Sequence, residues 1–163
     1  MNTSIRVAEE RDAEAACNVL RRSITECCSE DHKDDPALLG PWLENKTPEN
    51  VRAWITSPGN YAIVAEAHGK IVGVAMMLDS GEITLCYLLP EARFKGVGRM
   101  LLADLESRAN QLGLGEVRLQ STRTARRFYE RNGFRSCGTA GSSLGVSCAP
   151  MVKRYPARKL RAR

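Results

Sequence analysis

Histidine is scarce in this chain, and paired cysteine motifs are missing. Only His32 and His68 occur, far apart, and none of the six cysteines (Cys17, Cys27, Cys28, Cys86, Cys137 and Cys148) forms a C-x-x-C pair. Structural zinc sites draw on such spacings, so no metal is expected, and the thiols read as buried, reduced side chains. No apolar run approaches the roughly 18 residues a membrane span needs, and Met1–Arg11 is too polar and acidic for a signal peptide. A cytoplasmic protein with no membrane association is therefore expected. Neither the dinucleotide fingerprint G-x-G-x-x-G nor the phosphate loop G-x-x-x-x-G-K-[ST] occurs. Aromatic residues make up 6% and do not interleave with any basic strand, so the stacking platform of a nucleic-acid binder is absent and no nucleic acid is expected.

What is present suits one globular domain over residues 1–163, with 43% hydrophobic and 26% charged residues. The net charge of +5 suits an anionic ligand, although Arg158-Lys159-Leu160-Arg161-Ala162-Arg163 supplies much of it and reads as a basic tail. Ile5–Val7 is a short strand. Asp12 reads as the N-cap of a helix carrying Ala13, Ala16, Leu20, Ile24 and Cys27 at helical spacing. Ser29–Lys46, rich in charge and proline, reads as a loop. Thr47 and Pro48 open a helix through Ile55. Tyr61–Glu66, Ile71–Leu78 and Glu82–Leu89 are strands joined by short glycine-containing turns, hence an antiparallel meander. Val97, Leu101 and Leu105 stripe a helix that stops at Leu112-Gly113. Glu116–Gln120 is a strand, Thr122–Asn132 a helix, and Phe134–Cys137 a strand. Ala140–Ser147 is a small-residue loop and Met151–Tyr155 a last strand. Strand–helix–strand over residues 82–120 implies one parallel crossover in an otherwise antiparallel sheet.

One stretch carries most of the chemistry: Arg93-Phe94-Lys95-Gly96-Val97-Gly98-Arg99. A strand ends just before it and an apolar helix begins within it. The first helical turn has unpaired N–H groups and the positive end of the helix dipole. Glycines let an anion approach them, and Arg93, Lys95 and Arg99 add charge, so the segment reads as a phosphate cradle.

The spacing R-x-x-G-x-G resembles the pyrophosphate signature Q/R-x-x-G-x-G/A of the GNAT amine N-acetyltransferases. Two neighbouring features extend the likeness. Leu88-Leu89-Pro90-Glu91-Ala92-Arg93 is similar to that family's V-x-P-x-x-R, and Ala125-Arg126-Arg127-Phe128-Tyr129-Glu130-Arg131-Asn132-Gly133-Phe134 to its A-x-x-F-Y-E-x-x-G-F. The likeness covers about Ile5–Tyr155 and is sharpest over Glu82–Phe134.

It implies an α/β fold of the α+β type: a mixed, mostly antiparallel sheet of about seven strands with about four helices, splayed between the fourth and fifth strands, where coenzyme A lies. It also implies an acetyl-CoA-dependent transfer to a primary amine by direct attack. The resemblance makes the backbone of Phe94, Lys95, Gly96, Val97, Gly98 and Arg99 the diphosphate site beside Arg93. It gives Leu88 a backbone N–H for the thioester carbonyl, at a bulge. Tyr129 becomes the proton donor to sulfur. Glu82, eleven positions before Arg93, holds the place of a base in histone-acetylating members, while other members use a water chain. Thr122 stands where the family often has an asparagine that holds pantetheine. Arg126, with Arg123 and Arg127, is placed to meet the 3′-phosphate.

The acceptor would be a small-molecule or peptide amine, its specificity set by the first two helices and the loop after them, where Trp42, Trp54, His32 and the acidic set Glu30, Asp31, Asp34 and Asp35 form either a rim that attracts a cationic amine or a solvated polar loop. A homodimer follows by family analogy. A non-catalytic acyl-CoA-binding module and a basic nucleic-acid-binding domain are the alternative readings.

Overall fold

The computed structural model describes residues 2–156, so the basic tail from Arg158 lies outside the described residues. The chain runs through β1 (Thr3–Val7), a single 3-10 turn (Glu10–Asp12), α1 (Ala13–Cys27), α2 (Ser29–His32), α3 (Pro36–Glu44) and α4 (Pro48–Thr56). The meander β2 (Asn60–Ala67), β3 (Lys70–Leu78) and β4 (Glu82–Leu88) follows. A second 3-10 turn (Pro90–Ala92) then leads into α5 (Val97–Gln111). The chain ends with β5 (Glu116–Ser121), α6 (Arg126–Arg131), β6 (Arg135–Ser136), β7 (Gly141–Ser143) and β8 (Val146–Arg154).

The sheet order is β1-β2-β3-β4-β5-β8-β6, with β7 paired to β8. Every pairing is antiparallel except β4 with β5. This is the mixed, splayed sheet expected, with eight strands.

Central β3 is buried from Ile71 through Met77 without alternation, because α1 and α5 both pack on it. From α5, Val97, Leu101, Leu102, Leu105 and Ala109 are buried. Gly73 is there because a Cβ would stand 2.8 Å from Leu88 and 3.1 Å from Leu101.

The parallel seam is short. β4 pairs with β5 only at Glu82↔Arg118 and Ile83↔Leu119. On its far side β5 is fully engaged, from Glu116 to Ser121, by β8. β4 meanwhile carries one extra residue, because Met76 faces Leu85 while Met77 faces Ile83, leaving Thr84 bulged. A bulge bends its strand and increases the twist, so β4 turns away from β5 and the sheet opens into a cleft.

Four expectations need correction. Asp12 stands at the N-cap position of α1 but its side chain makes no capping bond to that helix. Its carboxylate accepts the Glu9 N–H at 2.7 Å, closing a reciprocal box around the first 3-10 turn, and is gripped by Arg6 at 2.7 and 2.9 Å. Ser29–Lys46 is not a loop: Asp35 caps α3 by accepting the Ala37 N–H at 2.9 Å, with Pro36 in the first turn. The helix expected over Thr122–Asn132 is only Arg126–Arg131, since Thr122–Ala125 form a side-chain-bonded turn. Ala140–Ser147 is a β7–β8 hairpin turning at Leu144-Gly145, both at positive φ.

Candidate active site

The cleft begins where β4 loses its partner. Leu89 N–H donates to Val72 C=O at 2.8 Å, so Gly73 and Leu88 oppose each other as a non-hydrogen-bonded pair. The peptide groups of Leu88 therefore point away from β3, and by alternation so do those of Cys86. Both face the gap left by β5, as an unpaired strand edge able to accept another strand. Leu88 sits in regular register, so the bulge expected there is at Thr84 instead.

At the end of that edge lies the cradle. Buried Leu89 and Ala92 anchor the Pro90–Ala92 turn, and Arg22 holds Glu91 through two bonds of 2.9 and 3.1 Å. The N–H groups of Phe94, Lys95, Gly96, Val97, Gly98 and Arg99 meet no acceptor among the described residues. The first helical bond, Met100 N–H to Gly96 C=O at 3.1 Å, lies just beyond them.

The two glycines do different work. Gly96 is the N-cap of α5 at φ +84°, and a Cβ there would meet nothing, so the turn is open to a ligand. Gly98 is buried, and a Cβ would lie 3.0 Å from the Phe128 ring, so it lets α5 close on α6. Phe94 also has positive φ (62°) and is 92% exposed, with Arg93 stacked 4.8 Å from its ring centroid. Lys95 and Arg99 are exposed beside it.

Tyr129 is 6% exposed, between Phe128 and Phe134 at centroid distances of 5.2 and 5.6 Å. Its hydroxyl neighbours the Cys86 thiol. Burial, reinforced by Cys86, pushes the Tyr129 hydroxyl well above the usual tyrosine value. Burial also lifts the Cys86 thiol to about 12, which keeps both protonated. Cys86 thus lacks the thiolate character a covalent carrier needs.

The approach to α6 is held from afar. Asp31 accepts from Arg123 N–H (2.8 Å), Thr124 N–H (3.3 Å) and Thr124 Oγ1 (2.5 Å). Thr122 Oγ1 accepts Ala125 N–H at 3.3 Å, while Arg126 pairs with Glu130 at 2.8 Å along α6. Glu82 is exposed, on the paired stretch of β4 four residues before Cys86.

On the other face of the opening is a cleft of about 420 Å³. It is lined by Trp42, Asn45 and Lys46 from the end of α3, by Thr84, Leu85 and Tyr87 from β4, by Gln120 and Thr122, and by the β7–β8 hairpin. Thr84 and Leu85 both reach it because the bulge breaks strand alternation.

The expected acidic rim does not line this cleft. Asp31 is buried as the anchor just described. His32 is buried, its Nε2 donating to Ile24 C=O at 2.9 Å and its Nδ1 accepting Asp34 N–H at 3.0 Å. Trp54 packs against the main core and Trp42 alone of the two tryptophans lines the cleft. Lys46, Asn45, Gln120 and the hairpin serines were not identified from the sequence. The signal available was Asp35-Pro36 followed by Leu38, Leu39, Trp42 and Leu43 at helical spacing.

A sheet splayed at one parallel seam, with unpartnered N–H groups among the described residues at the head of the helix that follows β4, is the architecture that the resemblance to the amine acetyltransferases implies. The acetyltransferase (GNAT) domain model matches residues 29–155, and the chain belongs to the GNAT family. An amino-acid acetyltransferase of Pseudomonas putida (strain GB-1) is 39% identical over 80 residues, which are 46% of this chain and 18% of that protein. An uncharacterised N-acetyltransferase of Mycobacterium bovis is 31% identical over 100 residues, 57% of this chain and 64% of the relative. The chain thus spans less than two-thirds of either relative.

Among solved structures, the PaiA N-acetyltransferase of Thermoplasma acidophilum in complex with coenzyme A aligns with a TM-score of 0.83 at 25% identity. That alignment covers 95% of this chain and 100% of that one. A GCN5-related N-acetyltransferase of Rhodopseudomonas palustris aligns at 0.85 with 19% identity over 95% and 97% of the two chains, a likeness of fold.

Proposed function

We propose that the protein is an acetyl-CoA-dependent N-acetyltransferase acting on a primary amine by direct attack. The observation that carries this reading is the run of six N–H groups, Phe94 to Arg99, that find no acceptor among the described residues, at the end of a β4 edge likewise unpaired among them. The residues fit the cofactor: Gly96 leaves room for an anion, and the edge at Cys86 and Leu88 offers peptide groups at strand spacing. Acetyl-CoA supplies the activated acetyl thioester.

In this reading Phe94–Arg99 bind the diphosphate, helped by Arg93, Lys95, Arg99 and the dipole of α5. Leu88 and Cys86 pair with the pantetheine amides, and Leu88 N–H donates to the thioester carbonyl oxygen. Tyr129 gives its proton to the departing sulfur. The amine proton leaves through water to Glu82, which shares the cleft-side face of β4 with Thr84. The exposure of Glu82 suits the end of a water relay better than direct contact. Thr122 is committed to the Ala125 N–H and still has a proton to donate to the cofactor. Arg126 spends its Nε on Glu130 and has its terminal nitrogens left to meet a 3′-phosphate. The protein is further proposed to be cytoplasmic and able to pair as a homodimer.

Thiol release from acetyl-CoA across a panel of small amines tests the reading. Tyr129→Phe is expected to lower kcat by about a hundredfold, within the range for losing a general acid, with acetyl-CoA binding retained. If both forms bind acetyl-CoA but neither turns over any amine, the protein is a binding module instead. Glu82→Gln is expected to lower kcat at neutral pH with smaller loss at high pH, where the amine deprotonates unaided. A flat response at every pH would remove Glu82 from the mechanism.

A further inference from the structure

The acceptor cleft has a charge pattern that narrows its substrate, given the enzymatic reading above. Among the described residues no aspartate or glutamate lines it, and its one cation is Lys46. Lys46 is 8% exposed, and no carboxylate among the described residues pairs with it. Its Nζ donates to the neutral amide oxygen of Asn45 at 2.8 Å. An ammonium has three donors, so two remain unassigned. Burying a charge without a counter-ion is costly and persists where something else rewards it.

The backbone beneath the side chain is fixed on every side. Lys46 N–H donates to Leu43 C=O at 3.0 Å, and Lys46 C=O accepts from Arg21 Nη1 at 2.9 Å and from Cys17 Sγ at 3.2 Å. Asn45 is held in turn, its carbonyl accepting from Asn50 Nδ2 at 2.9 Å. This ammonium sits on a rigidly held backbone at the wall of the cleft and is 8% exposed, unlike a surface lysine free to swing into solvent.

A cleft without carboxylates gives a polycationic acceptor nothing to pair with. A fixed, buried ammonium gives an anionic group a strong, desolvated partner. We infer that the acceptor is a small amine that also bears a carboxylate, an α-amino acid or close analogue, with the carboxylate held by Lys46 and the amine directed at the opening between β4 and β5. Asn45, Gln120, Ser142 and Ser143 stand around the cleft as neutral partners for its remaining polar atoms. Lys46 on this account is a binding residue, and Arg21 and Cys17 position it.

The test pairs each α-amino acid with the amine left when its carboxylate is removed: leucine with 3-methylbutylamine, phenylalanine with 2-phenylethylamine, lysine with 1,5-diaminopentane. In at least one pair the acid form should show kcat/KM higher by about tenfold or more, the worth of one charge-assisted hydrogen bond. Lys46→Met should raise KM for that amino acid by a similar factor, leave kcat nearly unchanged and not affect the amine. Lys46→Arg should recover part of the loss. The melting temperature of unliganded Lys46→Met should hold or rise, whereas a merely structural lysine would lower it on removal.

Decarboxylated members turning over as well as their partners, or a preference that survives Lys46→Met, would overturn the inference. If no amine is acetylated, the same amino acids should still raise the melting temperature of the coenzyme A-saturated protein, and not that of Lys46→Met. Absence of that shift also overturns it. These outcomes differ from failure of the enzymatic reading, which would show as no response to acetyl-CoA at all and would take this inference with it.

Discussion

At the scale of single residues, several side chains do work their type alone does not announce. Gly96 and Gly98 form one motif in sequence yet answer to different forces. Gly96→Ala introduces no clash and is strained only by φ +84°. It should cost about 1–2 kcal/mol of stability and weaken acetyl-CoA binding by shifting the N–H groups on either side. Gly98→Ala meets the Phe128 ring at 3.0 Å and should cost about 1–3 kcal/mol through overpacking. Urea unfolding of both variants, with acetyl-CoA titration, separates the roles.

Asp12 makes a pH prediction. Arg6, at 2.7 and 2.9 Å, holds its carboxyl below the usual 3.8. The folded state thus binds its proton less readily than the unfolded one. The stability this contributes is present above the usual carboxylate value and is lost as pH falls through the lowered one. Asp12→Asn should cost about 1.5–3 kcal/mol at neutral pH, the worth of a charge-assisted hydrogen bond, because Arg6 is part-exposed and keeps Glu66 at 2.8 Å. It should also flatten the acid limb of the stability curve.

At the scale of elements, legibility followed the strength of the local pattern. β2, β3, β4 and α5 were readable because long apolar runs or a single stripe met glycine turns, and α4 because Thr47 and Pro48 mark its start. α3 was missed because Gly40 and Pro41 break its interior and charge surrounds it, although its cap and its leucines were in view. The β7–β8 hairpin was missed because glycine and serine carry no alternation of hydrophobicity. α6 was read as too long, since the turn at Thr122–Ala125 is fixed by Asp31, some ninety residues earlier, and no local window contains that contact. Asp31→Ala should therefore loosen the turn and the seat of Tyr129. Expected are a loss of about 1–3 kcal/mol and a fall in kcat exceeding any change in acetyl-CoA affinity, read by thermal melting and steady-state kinetics.

At the scale of the whole molecule, function rests on an unfinished sheet. β8 satisfies one side of β5, the Thr84 bulge turns β4 aside, and the peptide groups of Cys86 and Leu88 are left for a ligand. The turn at the head of α5 and the helix that carries Tyr129 were legible because the residues of each are contiguous in sequence. The cleft at Lys46 was not, because it is assembled from α3, β4, β5 and a hairpin more than ninety residues after α3. Lys46 acquires meaning only when those segments meet. Helix α5 unites the layers: Leu101, fully buried against Gly73, should cost about 2–5 kcal/mol on replacement by alanine.

The central claim is that the N–H groups before and within the first turn of α5 seat the diphosphate of coenzyme A. Titrating labelled protein with coenzyme A and following backbone amide resonances tests it most directly. The account predicts saturable shifts concentrated at Gly96, Val97, Gly98, Arg99 and Leu88, abolished in the surface variant Lys95→Glu/Arg99→Glu while the remaining spectrum is kept. Saturable binding that leaves those amides unmoved, or no binding at millimolar coenzyme A, would contradict it.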